Sequence, residues 1–446
     1  MSGSLQGLAR GGYSLLLWLL TPVYLLRLWW RGRAEPLYRH AIAERLGSYD
    51  GGATRGAVWV HAVSLGETRA AAALIDALRR QRPGMRLLLT HSTATGREAG
   101  LALLHDADRQ AWLPYDTPAA VDRFFHHFQP AVGVLMETEI WPNLLHAAQA
   151  RGVPVVLANA RLSLKSQRQG QRLDTLIRPA VRSLALVLAQ TEGDAQRLRE
   201  SGALNVFVSG NLKFDMTPDA TLLARGHAWR AALKRPVLLA AVTRDGEEAM
   251  LLSAWLQHTA AMNQRPLLLI VPRHPQRFDE VAALVEAAGL RLARRSRWAD
   301  TPPASAGVAD VWLGDSMREM PLYYALAQVA LLGGSFAPLG GQNLIEAAAC
   351  GCPLVMGPHT FNFAEAAQMS LAAGAALRAG DMDAGVRAGL GLLRGPGLLD
   401  VAQRALAFAA QHRGAAERMA GQMGALMRAG AVVAGRADVG KANGLN

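Results

Sequence analysis

Apolar residues along this chain come in short, dense runs. Those over Ala57–Ala62, Arg86–Thr90, Ala131–Met136, Val153–Ala158, Ala185–Ala189 and Val206–Ser209 are too short for helices. They predict strands covered on both faces. Between them, segments such as Glu67–Gln81 and Pro118–Phe128 carry helical periodicity. A second series follows Pro218–Pro236: Val237–Val242, Leu267–Val271, Asp310–Leu313, Val329–Leu332 and Leu354–Met356. Alternating strand and helix predicts mostly parallel, doubly wound sheets. Two α/β domains of similar size, joined near residues 215–236, fit the series. The alanine-rich stretch from about Leu398 to Met427 predicts one helix, and the aperiodic tail 434–446 reads as disordered.

The amino terminus departs from this rhythm. Tyr13 to Leu26 is almost wholly apolar, broken by Thr21 and Pro22, and Trp29, Trp30, Arg31, Arg33, Arg39 and Arg45 follow. Counted to Trp30, with Arg27 snorkelling, the run is long enough for an anchor that spans or lies in a membrane. A cleaved signal peptide competes, but arginines crowd the downstream side and no small-residue cleavage site follows. The arginine bias places the body of the chain in the cytoplasm.

Composition sharpens the partner question. The 446 residues are 51% hydrophobic and 18% charged with a net charge of +12, which excludes global disorder. Among the 47 basic residues only Lys165, Lys213, Lys234 and Lys441 are lysine. A basic surface fits nucleic acid, an anionic membrane face or a phosphorylated substrate. No basic stripe interleaved with aromatics supports nucleic acid. Cys350 and Cys352 are the two cysteines, without zinc spacing or a disulfide framework around them.

In open α/β sheets ligands bind beyond the carboxyl ends of strands. Candidate chemistry therefore lies just after each run. In the first half, Ser64-Leu65-Gly66-Glu67 opens a helix, where Glu67 is favoured by the helix dipole and is also placed to act as a general base. Glu137 and Glu139 follow the run ending at Met136; two carboxylates two apart raise a metal, but no third ligand is evident. Lys213, in Gly210-Asn211-Leu212-Lys213, is a rare lysine where arginine is the default. In the second half, Pro272-Arg273-His274-Pro275 is a rigid turn whose arginine can fork onto a phosphate. Asp315 to Met320 offers a polar helix start. Gly333-Gly334-Ser335 and Gly340-Gly341-Gln342-Asn343 form glycine turns that let N–H groups approach an anion. Asn343 and Glu346 read either as a helix cap or as a ribose contact. No Walker lysine is present, which disfavours P-loop phosphoryl transfer.

Together the motifs are similar to those of the Kdo transferases, which add 3-deoxy-D-manno-oct-2-ulosonic acid (Kdo) from CMP-Kdo to a lipid A precursor. The resemblance runs through Arg31-Gly32-Arg33, His61 to Glu67, Leu113 to Asp116, Glu137 to Asn143, Asn159 to Ser163, Gly210 to Asp215, Pro272 to Pro275, Gly333 to Ser335, Gly340 to Glu346, and Gly357 to His359 with Asn362-Phe363. It implies a GT-B fold: two Rossmann-like domains with an interdomain cleft, behind an amino-terminal membrane segment. The expected division is an anchor over 1–32, an acceptor domain over 33–225, a CMP-sugar domain over 226–433, and the tail. It implies Glu67 as general base and Glu137 and Lys213 as transition-state stabilisers. It implies that Pro272, Arg273, Met317, Arg318, Glu319, Asn343, Leu344, Ile345 and Glu346 contact CMP. The family usually has glycine at the place of Arg318, which puts that loop in question.

The implied reaction is inverting transfer to a phosphorylated lipid A precursor of the lipid IVA type. It needs no metal and no cofactor, since CMP-Kdo is itself a substrate. The implied setting is the bacterial inner membrane, catalytic domains on the cytoplasmic face against anionic lipids, with no nucleic acid partner. The rivals are a nucleotide-sugar epimerase or hydrolase on the same scaffold and a non-catalytic, membrane-tethered nucleotide sensor.

Overall fold

Strand residues of alternate parity feed two different cores, as a sheet covered on both faces requires. In a computed structural model describing residues 2–52 and 54–427, the first unit contains β1 (Val58–His61), β2 (Leu87–His91), β3 (Arg109–Trp112), β4 (Val132–Met136), β5 (Val155–Ala160), β6 (Leu186–Ala189) and β7 (Val206–Val208). All pair in parallel, in the order β3-β2-β1-β4-β5-β6-β7. Val58 and Val60 pack with Leu87, Leu89, Val132 and Val134 against helix α2 (Leu65–Gln81). Trp59, Leu88 and Leu135 face the other way, onto Phe124, Phe125 and Phe128.

The second unit contains β8 (Val237–Thr243), β9 (Leu267–Pro272), β10 (Leu292–Arg294), β11 (Val311–Leu313), β12 (Val329–Leu332), β13 (Leu354–Met356) and β14 (Ala376–Arg378). Its order is β10-β11-β9-β8-β12-β13-β14, again parallel. Both sheets hold a doubly wound six-strand arrangement plus one extra strand: β7 beyond the sixth position in the first, β10 beyond the third in the second.

The two compact units divide at Asp215/Met216, ahead of the expected boundary at 225/226. The helix Ala220–Leu233 belongs to the second unit because it packs closely on helix Met320–Leu326; a Cβ at Gly226 would overlap the Leu322 carbonyl oxygen. The stretch expected as one closing helix is two. Leu398–His412 ends before Gly414, whose φ of +85° breaks the helix, and a further helix over 415–427 returns to the first unit. There Ala415, Ala416, Met419, Ala420 and Met423 complete the core behind α2. Asp215 caps it by accepting from the N–H groups of Gly414, Ala415 and Ala416. The expected tail 434–446 lies outside the described residues.

Helix α1 (Ser2–Arg31) is a single helix with Pro22 inside it. It lies against the first unit through polar contacts at mid-length. Tyr13 OH donates to Asp116 (3.0 Å), Ser14 Oγ bonds the Asn143 amide, and Tyr24 stacks near Tyr115. Its other face exposes Leu15, Leu16, Trp18, Leu19, Val23, Leu26 and Trp30.

Candidate active site

At the carboxyl end of the first sheet, β1 ends in His61 and turns into α2 at Ser64. Ser64 Oγ accepts from the Glu67 N–H, while the Glu67 carboxylate accepts from the Ser64 hydroxyl (3.0 Å) and the Val63 N–H (2.9 Å). This is close to a capping box. Burial pushes the Glu67 carboxyl up; the Val63 and Ser64 bonds oppose that, nearby Glu137 adds to it, and Lys213 opposes it. Glu67, Glu137 and Lys213 therefore converge, and Lys213 Nζ lies 3.9 Å from Glu137 Oε1.

Each partner is held by its own turn. Glu137 follows β4 with φ +57°, a left-handed conformation that is strained for a non-glycine residue. Lys213 sits in the turn Leu212–Asp215, which is pinned by Asn159 Oδ1 accepting from the Leu212 N–H (3.0 Å) and by Asp215 on the helix over 415–427. Asn159, fully buried at the end of β5, is thus a positioning group for the lysine turn.

Glu139 joins the same cluster, a placement that the two-apart spacing with Glu137 hinted at only as a metal site. Its carboxylate accepts from Trp141 Nε1 (2.8 Å) and lies 4.0 Å from His61 Nε2. Burial, then the charge of Glu67, pushes the Glu139 carboxyl up to about 7. Burial, then His91, pushes His61 down to about 3, so the ring is neutral. Among the described residues, no group of three or more His, Cys, Asp or Glu is arranged to hold a metal ion.

The second sheet presents cations and occupied carboxylates. Arg273 follows β9 and its N–H donates to the Thr243 carbonyl (2.9 Å). Arg244, Arg273 and Arg277 surround His274, which burial and then these charges hold below its ordinary pKa. Arg277 is paired with Glu248 and Glu280, whereas the Arg244 and Arg273 guanidinium groups make no ion pair among the described residues. Arg244 was missed in the sequence reading. Its signal was the position, one residue past a strand.

The glycine turn after β12 is built differently from its expected role. Its N–H groups at Gly334, Phe336 and Ala337 are already engaged by a side chain of the fold. Glu247, fully buried, accepts from Gly334 (2.7 Å), Phe336 (3.1 Å), Ala337 (3.2 Å) and Arg244 (2.9 Å). The glycines serve close approach: a Cβ at Gly333 would overlap the Val242 carbonyl oxygen. Asn343 is the N-cap of helix Leu344–Ala349, its Oδ1 accepting from the Ile345 N–H, and Leu344 and Ile345 are buried. Glu346 is half-buried in that helix's first turn. In the loop after β11, Glu319 is held by Arg295 (2.8 Å) and Ser316, and Met317 is exposed. Arg318 has φ +65°. The backbone thus adopts the shape that a glycine would favour, and only the side chain is unusual.

A family model described as 3-deoxy-D-manno-octulosonic-acid transferase (kdotransferase) matches residues 40–216. The chain is 48% identical over 423 residues to a 3-deoxy-D-manno-octulosonic acid transferase of Bordetella pertussis, covering 92% of this chain and 98% of that protein. This chain belongs to the Kdo transferase family. A second member, from Haemophilus influenzae, is 35% identical over 367 residues, covering 80% of this Kdo transferase and 84% of that protein. The GT-B fold of the transferase also appears in a solved glycosyltransferase structure from Rickettsia africae, at TM-score 0.54 and 10% identity, covering 83% and 98% of the two chains. In this Kdo transferase the expected catalytic trio Glu67, Glu137 and Lys213 meets within one unit. The expected donor residues all lie in the other, at or beyond strand ends or in the helix starts that follow.

Proposed function

We propose that the chain is an inverting glycosyltransferase that moves Kdo from CMP-Kdo to a phosphorylated lipid A precursor of the lipid IVA type. The convergence of Glu67, Glu137 and Lys213 carries this reading. The attacking sugar hydroxyl must lose a proton, and Glu67, raised toward neutrality but bonded to two donors, is suited to take it. As the new carbon–oxygen bond forms at the Kdo anomeric carbon, the bond to phosphate breaks and CMP leaves with the electron pair. The departing phosphate monoester needs charge rather than a proton, so one carboxylate suffices where glycoside hydrolysis uses two. Glu137 and Lys213 face the positive charge and the leaving group of the transition state.

On this reading Pro272, Arg273, Met317 to Glu319 and Asn343 to Glu346 hold CMP, with Arg244 beside Arg273. The Glu319 carboxylate is engaged by Arg295, so it acts through loop shape. No step requires a metal or cofactor, and transfer should persist in EDTA.

The setting is the cytoplasmic face of the bacterial inner membrane, against anionic lipids. Helix α1 supports a position in the interface. Its contacts at Tyr13 and Tyr24 leave about 16 Å of helix between them, and its other face is an apolar strip. Incubation of purified protein with radiolabelled CMP-Kdo and a tetraacylated glucosamine-disaccharide bisphosphate tests the reading. The expected product is the lipid one Kdo or more heavier by mass spectrometry, with inverted anomeric configuration by NMR. Release of free Kdo without lipid labelling would favour the hydrolase alternative.

A further inference from the structure

Between α1 and the body of the first unit lies a cavity of about 250 Å³, lined by Arg27, Arg31, Arg45, Ser92, Tyr24 and Trp141 among others. Among the described residues, no carboxylate lines it. Its three arginines are under-used. Arg27 makes no hydrogen bond or ion pair among the described residues. Arg31 rests on the Tyr38 ring and has one exposed partner, Glu35, at 3.6 Å, a kind of pair that holds little energy. Arg45 is 4% exposed, lies 4.1 Å over the Trp112 ring and donates to the Ser92 carbonyl, but its Nε has no partner among the described residues. A buried cation with an orphaned N–H, beside an unpaired Arg27 and an Arg31 held only by an exposed carboxylate, is a site short of an anion.

Two features specify which anion. The space is about eight water volumes, room for a phosphate with a few waters. Trp141, whose indole holds Glu139 beside Glu67, lines it, and so does the helix whose outer face is apolar. A ligand held here keeps its anion in the cavity, its hydrocarbon on the α1 strip and its sugar near the base.

We propose that this cavity is the acceptor's phosphate subsite, in which Arg27 and Arg31 clamp a phosphate monoester of a membrane-embedded glycolipid above Arg45. The inference rests on the transfer reaction proposed above and adds the residues that select its acceptor. A monoester carries more charge than the diester of a bulk phospholipid and offers three oxygens to the arginine forks.

The test compares wild type, Arg27→Gln/Arg31→Gln and Arg33→Gln. Arg33 is exposed on the same segment but does not line the cavity. Acceptors are the bisphosphorylated tetraacyl disaccharide and its phosphate-free form, in alkyl maltoside micelles. The preference for the phosphorylated lipid, as a ratio of kcat/KM values, should fall about 10- to 100-fold in the double variant, mainly through KM, and hold in Arg33→Gln. An unchanged ratio in the double variant, or an equal fall in Arg33→Gln, overturns the subsite. So does competition by phosphatidylglycerol or inorganic phosphate as effective as that by the phosphorylated lipid. If wild type transfers Kdo to neither lipid, the proposed reaction fails by itself. The subsite is then judged by binding of the bisphosphorylated lipid: about tenfold weaker in the double variant upholds it, and equal binding overturns it.

Discussion

Glu67 and Glu247 occupy corresponding places, in the first turn of the helix that follows the first strand of each sheet. Their surroundings differ. Glu247 is fully buried and accepts four backbone N–H bonds, three of them from the glycine turn after β12. Glu67 is half-buried and accepts one N–H and one hydroxyl, with Glu137, Glu139 and Lys213 around it. Four donors hold a carboxylate in one place and make it a buckle between two loops. Two donors among other acids leave it able to take a proton. The donor count, not the position, separates the two environments in this pair, and it is what makes Glu67 rather than Glu247 the proposed base.

The contrast breaks most directly at Glu67. Glu67→Gln keeps an oxygen for the Val63 N–H but has no basic oxygen. Kdo transfer should fall about 10²- to 10⁴-fold, with an unfolding free energy within about 1 kcal/mol of wild type. Wild-type turnover, measured with saturating CMP-Kdo, would remove Glu67 as the base. The mirror experiment is Glu247→Gln. An amide cannot accept all four N–H bonds without turning its own NH₂ toward a donor, so stability should drop about 3 kcal/mol, read by urea denaturation. A smaller loss than that of Glu67→Gln would invert the comparison.

Glu139 tests the acidic cluster by pH. Its carboxyl is raised from an ordinary 4.5 to about 7 in the fold, by burial and then by Glu67. Between those values the unfolded chain has ionised and the folded one has not. Stability therefore declines as pH rises through that window, and the loss is complete above it. Glu139→Gln removes the titration while leaving an acceptor for Trp141. It should raise stability by about 2 kcal/mol at pH 8 and by almost nothing near pH 4, in thermal denaturation across that range. A gain that is equal at both ends would mean that the charge of Glu139 is not what the fold opposes.

The central strands were legible because parallel strands covered on both faces leave uninterrupted apolar runs. β3, β10 and β14 were not: they are sheet edges, three or four residues long, and each carries arginine. The closing helix was misread as one because alanine content hid Gly414 as a break, and nothing local told that Met419 and Met423 belong to the first core. At the site, Glu67 was legible from its strand-turn-helix setting, and Lys213 from its rarity. The role of Glu247 was hidden. Its partners Gly334, Phe336 and Ala337 lie far along the chain, and only the folded register brings their N–H groups to one carboxylate.

Arg318 carries the smallest expected effect and the finest form of the comparison. Left-handed backbone costs a residue with a side chain about 1 kcal/mol or more, and glycine there loses part of that gain to its greater freedom when unfolded. Arg318→Gly should thus raise stability by about 0.5 kcal/mol at most. Arg318→Val should lower it by about 1–2 kcal/mol, since φ is +65°. If the second unit works through loop shape, as the anchored carboxylates of Glu247 and Glu319 indicate, the KM for CMP-Kdo in Arg318→Gly stays within about threefold of wild type. A rise beyond about tenfold would make the guanidinium itself a donor ligand. The loop after β11 would then bind by side-chain charge, the role proposed for Arg273, rather than by the shape its backbone holds.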